Sequence, residues 1–150
     1  MAKLWATHGI IDNRQPLYSH LLLKKSEGDP ENDGLLEARE IMSMSLQADL
    51  AVLSACETAN GTISPGERVV GMSWAFFVAG TRSMLVSQCE VNSASTAQVM
   101  VNFYESLEPN GGQSKASKAE SLRAAAVKSM RKMNYRHPFY WAGFAIIGSD

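Results

Sequence analysis

One histidine and one cysteine stand where short apolar runs give way to polar residues. Thr7-His8-Gly9 follows Ala2-Lys3-Leu4-Trp5-Ala6, and Ala55-Cys56-Glu57-Thr58 follows Asp49-Leu50-Ala51-Val52-Leu53-Ser54. A thiol beside an imidazole is the minimum apparatus for attack on a carbonyl: the sulfur is the nucleophile and the ring takes or returns the proton. Gly9, lacking a Cβ, lets a backbone N–H approach a developing oxyanion. Each residue also has a plainer reading. A lone cysteine after an apolar strand is a small buried hydrophobe, and a histidine at a strand end is a satisfied turn or core residue. The residues alone leave both readings open, and position favours looking further. Ligands of open α/β sheets bind beyond the carboxyl ends of the strands, so neighbouring strands would bring His8 and Cys56 to one crevice.

The elements around them follow from the hydrophobic pattern. Ala2–Ala6 and Asp49–Ser54 read as buried strands, and Met84–Ser87 as a third. Leu21-Leu22-Leu23 reads as half of a hairpin with residues near Tyr18. Leu36, Ile41, Met44 and Leu46 mark one face of a helix, and further helices are expected over 67–79 (stopped by Gly80), 93–107 and 114–133. The run from Phe139 to Gly148 reads as a closing strand buried on both faces. Continuous apolar strands alternating with helices indicate an α/β fold, with a mainly parallel sheet covered by helices.

The chain has 150 residues, 45% hydrophobic and 19% charged, which suits a single domain over 1–150. With 14 Lys and Arg against 15 Asp and Glu, the net charge of −1 provides no global field for nucleic acid or an anionic membrane. No apolar run approaches the roughly 20 residues of a bilayer span. No secretory signal follows Met1, so a cytoplasmic, reducing setting is expected. Cys56 and Cys89 make neither a disulfide framework nor a zinc pattern, and no metal or cofactor is expected. Lys115–His137 holds seven basic residues and the single acid Glu120, read as a solvated helix face rather than a polyanion or partner surface. Glu27–Asp33 reads as a surface loop, and Met42, Met44, Met72, Met84, Met100, Met130 and Met133 as core filling.

The words around the histidine and cysteine go further. Ala6-Thr7-His8-Gly9 and Leu53-Ser54-Ala55-Cys56-Glu57-Thr58 resemble the two active-site motifs of the CHAT domain family, caspase-like cysteine peptidases related to caspases and separase. Pro16–Leu23, Gly66–Gly80, Phe103-Tyr104 and His137–Phe144 are similar to further family segments, in the same order. The resemblance implies a caspase-like α/β/α sandwich and a cysteine endopeptidase acting on protein or peptide substrates. It makes Cys56 the nucleophile, His8 the general acid/base, and the N–H groups of Gly9 and Cys56 the oxyanion hole. It also implies a substrate pocket around Ser54, Ala55, Gln88, Cys89, Glu90 and Asn92. Glu57 is read as structural, since alternate side chains of an extended segment point apart.

Two departures bear on this. The family's domain has strands upstream of the histidine strand, so the chain is expected to be the catalytic half, with an exposed strand edge. A homodimer, an upstream caspase-like half or a helical-repeat regulatory partner would cover that edge. A non-catalytic interaction module is the competing class. A Cys-His amidohydrolase is disfavoured by resemblance, since those enzymes place the cysteine before the histidine. Second, Cys89 stands where family members usually carry a Trp, and Asn92-Ser93 where they carry one or two Asp; in separase-like relatives an acid there binds an arginine before the scissile bond. Without a carboxylate there is no bidentate partner for a guanidinium. A peptide library is therefore expected to show cleavage after uncharged side chains; a preference for Arg or Lys contradicts that reading.

Overall fold

A computed structural model describes residues 2–5, 7, 9–12, 14–25, 28, 33–53, 65–88, 92–108 and 116–149, with the backbone course alone for 2–5 and 65–71. The chain is mixed α/β and groups into two compact units, residues 1–90 with 147–149, and 91–146.

The first unit is organised on strands β1 (Ala2–Trp5), β5 (Leu50–Leu53) and β6 (Ser83–Ser87). β5 lies between the other two and runs parallel to both, with Trp5 opposite Leu53 and Leu53 opposite Val86. Leu50, Ala51, Val52 and Leu53 are all buried, as a continuous apolar run in a parallel sheet requires. Burying each of the larger side chains stabilises the fold by about 1.5–3 kcal/mol. The hydroxyl of Ser83 enters this interior because it donates to the Asp49 carbonyl at 2.7 Å.

Helix α2 (Pro65–Val78) buries Met72, Ala75 and Phe76, and Ala79 just past its end, the spacing that keeps one helical face against a core. Gly80 ends it at φ +98, the left-handed conformation a C-terminal glycine supplies. Gly80 N–H donates to the Phe77 carbonyl and Thr81 N–H to that of Phe76, both at 3.0 Å, which satisfies carbonyls of the last turn.

The segment between β1 and β5 departs from expectation. It folds into a second, antiparallel sheet of β2 (Gly9–Ile10), β3 (His20–Leu22) and β4 (Leu35–Glu37). The chain is therefore not built on a mainly parallel sheet: these short strands, connected through residues 11–19 and 23–34, pair antiparallel, whereas parallel pairs need a crossover that usually carries a helix. Leu21, in the middle strand, is 1% exposed. Its partners are Gly9 and Leu36 rather than residues near Tyr18, which lies in a 3-10 turn, Pro16–Tyr18. Leu36, expected to be helical, is in β4. The helix that follows, α1 (Ala38–Ser43), is only six residues long, opened by a Glu37/Glu40 capping box and closed by extended backbone at Met44.

The second unit pairs α3 (Ser93–Leu107) with α4 (Lys118–Met130). Ser95, Val99, Asn102 and Phe103 are buried on α3, and Ser121, Ala125 and Ser129 on α4. The small side chains of α4 allow close approach, and the buried Asn102 amide donates to Ser129 at 3.2 Å while accepting from Gln98 at 3.2 Å. Ser117 and Glu120 form a capping box at the start of α4.

The closing segment corrects two readings. Only Phe144–Gly148 forms strand β7; Pro138–Tyr140 is a 3-10 turn, since proline has no N–H for a ladder. Among the described strands β7 is an edge beside β6, and of its residues Phe144 alone is buried. Nor are the methionines uniformly core. Met72 and Met84 are buried, but Met44, Met130 and Met133 are exposed.

Gly148 has φ +100, and an added Cβ would collide with the Arg82 carbonyl oxygen and come within 2.9 Å of Ser83 Cα. Gly28, at φ +85, has open space around it. Gly148→Ala is expected to destabilise by about 2 kcal/mol or more, and Gly28→Ala by about 1, in urea unfolding; equal effects would contradict the close approach.

Candidate functional site

Parallel pairing aligns three strand ends. β1, β5 and β6 finish beside one another at Trp5, Leu53 and Val86–Ser87, so the segments that leave them depart from one edge of the sheet. His8, Ser54, Ala55, Cys56, Cys89 and Glu90 lie outside the described residues, as does Glu57. Thr7, Gly9, Gln88 and Asn92 are described. Gln88 follows β6 directly and is exposed. Asn92, in the second unit, is the N-cap of α3: its side-chain oxygen accepts from Ser95 N–H at 3.1 Å and its carbonyl accepts from the Ser95 hydroxyl at 3.0 Å. The amide oxygen that the sequence assigned to a pocket is thus engaged in starting a helix.

The residues on either side of position 8 are held by one strand. The Thr7 hydroxyl donates to the Leu22 carbonyl, and the buried Gly9 stands opposite Leu21 in the antiparallel ladder. The next turn is fixed by Asp12. Its N–H donates to the Ser19 hydroxyl at 3.0 Å, and its carboxylate accepts from Arg14 N–H at 2.8 Å and Gln15 N–H at 3.0 Å. These two backbone bonds, Gln15 first, hold the Asp12 carboxyl below its ordinary value of 3.8. Ser19 is itself buried, and its carbonyl accepts from Ala38 N–H at 2.7 Å, joining this turn to the start of α1.

Sequence reasoning missed Thr7, Asp12 and Ser19. The signal for one was present: Asp12 three residues before Gln15-Pro16 is the spacing of an aspartate that caps its own turn. Thr7 and Ser19 act across the fold, through partners 15 and 7 residues away in sequence. His20 is a second imidazole in the same unit. Its Nδ1 lies 2.8 Å from the Tyr18 carbonyl, which only accepts, so that nitrogen carries a proton and serves the turn.

Among the described residues no group of three or more His, Cys, Asp or Glu is arranged to hold a metal ion. Among them also, no helix is long and apolar enough to cross a membrane.

Comparison with known proteins adds the family. Residues 4–149 match the CHAT domain. Tetratricopeptide repeat protein 28 of Mus musculus is 34% identical to this chain over 125 residues, 83% of this chain and 5% of that protein. Its Homo sapiens counterpart is 32% identical over 125 residues, with the same shares. The chain therefore spans about one-twentieth of the length of these curated relatives.

The Asp12 turn has a pH signature. A carboxyl whose pKa is lowered by folding stabilises the protein above its unfolded value, and that contribution is lost as pH falls through the lowered, folded value. Asp12→Asn, which keeps the acceptor oxygen but not the charge, is expected to lower the urea midpoint at neutral pH. The difference from wild type should close as pH falls below about 4. A difference independent of pH contradicts a role for the charge.

Proposed function

This chain belongs to the CHAT domain family, a caspase-like family, and on that premise we propose that it is a cysteine endopeptidase with a His8/Cys56 dyad. The observation that supports the assignment is the parallel register of β1 with β5. His8 is the third residue after Trp5 and Cys56 the third after Leu53, and Trp5 and Leu53 are directly opposite one another. Adjacent strands are about 4.8 Å apart, and three residues reach at most about 11 Å, so two short tethers begin side by side.

In the proposed reaction, the Cys56 thiol's proton passes to His8 and the thiolate attacks the scissile carbonyl carbon, forming a C–S bond and an oxyanion held by the N–H groups of Gly9 and Cys56. Collapse breaks the C–N bond as His8 delivers a proton to the departing amine, leaving a thioester. His8 then takes a proton from water, whose oxygen attacks the thioester carbonyl. Collapse breaks the C–S bond, the acid product leaves, and His8 returns its proton to the sulfur, restoring the thiol. The residues proposed to meet the substrate are those the family resemblance implies, Ser54, Ala55, Gln88, Cys89, Glu90 and Asn92. The engagement of Asn92 as a helix cap and its lack of charge support a preference for an uncharged side chain.

The proposed frame is one caspase-like α/β/α domain over 1–150. β1 has β5 as its neighbour among the described strands and is an edge of the sheet, which supports completion by a strand from an upstream half or a second copy. The names of both relatives include tetratricopeptide repeats, which supports a helical-repeat segment as regulatory partner. The same open edge supports the second reading, a non-catalytic module that docks to another chain.

The test is labelling by a thiol-directed peptide probe and turnover of a peptide panel. Cys56→Ala is expected to abolish both, His8→Ala to lower kcat by roughly 10²–10⁴-fold, and Cys89→Ala to leave labelling in place. Labelling at Cys89 alone contradicts the dyad. A folded chain without turnover, even when the upstream half is added, favours the docking module.

A further inference from the structure

The last turns of the second unit carry a surface that the proposed reaction does not use. Met133 is 84% exposed, Phe139 52% and Met130 41%, within twelve consecutive residues, Met130–Trp141. Large apolar side chains scattered singly on a surface need no explanation, whereas grouped ones mark interaction sites.

This grouping is not a frayed end. Two 3-10 turns, Met133–Tyr135 and Pro138–Tyr140, shape it. Tyr135 N–H donates to Lys132 at 3.0 Å, Phe139 N–H to His137 Nδ1 at 3.2 Å, and Ala142 N–H to Pro138 at 2.8 Å. The rings of Tyr135 and Phe139 both pack on Tyr140, with centroids 5.4 and 5.3 Å away. The backbone is held while the side chains remain open, so little conformational entropy is lost when a partner covers them.

Charge indicates the partner. Between Glu120 and Asp150 the sequence contains no acidic residue, yet it carries Arg123, Lys128, Arg131, Lys132 and Arg136. Lys128 is taken up by Glu105 at 2.6 Å. Lys132 bonds the neutral Gln98 at 2.6 Å and so keeps its charge uncompensated. Arg131 and Arg136 are exposed and make no ion pair among the described residues. Apolar anchors and uncompensated cations thus occupy the same short segment.

We propose that the surface formed by Met130–Trp141 docks an acidic peptide segment of a partner protein, its apolar side chains on Met133 and Phe139 and its carboxylates on Arg131 and Arg136. Methionine adapts to varied apolar partners, and arginine pairs carboxylates bidentately. A second copy is a poor occupant, because a two-fold interface sets the same cationic patch against itself. Nucleic acid is disfavoured too. Three cations fall short of the roughly 6–10 phosphate contacts typical of such binding.

The experiment selects a library of short random peptides on the whole chain and measures the winners by fluorescence anisotropy. Selected peptides are expected to combine Asp or Glu with Leu, Phe, Met or Trp. Arg131→Glu with Arg136→Glu should weaken them about tenfold or more, and Met133→Ser about fivefold. Arg14→Glu with Lys24→Glu, on the first unit, should change nothing. Met133 is so exposed that its replacement leaves the fold intact, and unchanged urea midpoints check this for each variant. The proposal is overturned by a selection with no enrichment over the double charge reversal, or by binding that ignores these substitutions. It is also overturned if single-stranded oligonucleotides outcompete the peptides at this surface, or if the same variants instead dissolve a dimer.

Discussion

A parallel hydrogen-bonded ladder leaves no choice about direction. Once β5 lies between β1 and β6 and runs with both, three chain segments must leave the sheet at the same edge. The ladder is fixed by burial. Leu50–Leu53 and Ser83–Ser87 have no solvent face, so a slip in register would move buried groups out of their packing and leave backbone groups unpaired. Everything proposed about the chemistry depends on this alignment, because neither His8 nor Cys56 has a catalytic meaning without the other.

The second sheet is a consequence of the same geometry. A parallel pair needs a long crossover, and the one between β1 and β5 is long enough to fold on itself. Its strand β3 holds the chain on both sides of position 8, through Leu22 to Thr7 and through Leu21 to Gly9. Asp12 and Ser19 then lock the following turn. A catalytic side chain is useful only when its neighbours are fixed, and this crossover supplies fixed neighbours from a small number of backbone contacts.

Much of this was legible in the residues. Leu50–Leu53 and Met84–Val86 are apolar without interruption, which between polar flanks reads as a buried strand. The helix over 93–107 shows in its apolar pattern, whereas its cap at Asn92 was not read, and Gly80 marks the end of α2. Less legible were β2 and β4, because strands of two or three residues hold too little pattern to show a period. Leu35–Glu37 also shares its apolar residues with a helical reading, and only the pairing with His20–Leu22 decides between them. The closing aromatic run misled for another reason. Phe139, Tyr140 and Trp141 are apolar enough for a strand, but Pro138 breaks the ladder and ring-to-ring packing takes its place. Of the site itself, the motif words were legible and the supports were not: Thr7 and Ser19 find their partners only in three dimensions.

The central claim is that the strand alignment brings positions 8 and 56 together. The most direct measurement introduces His8→Cys in a Cys89→Ser background and treats the folded chain with the shortest bifunctional maleimides. Peptide mapping by mass spectrometry then locates the bridge. The account predicts an intramolecular link between residues 8 and 56, lost when the chain is unfolded in urea. Two singly modified thiols with no bridge between them, in a protein that remains folded, would contradict it.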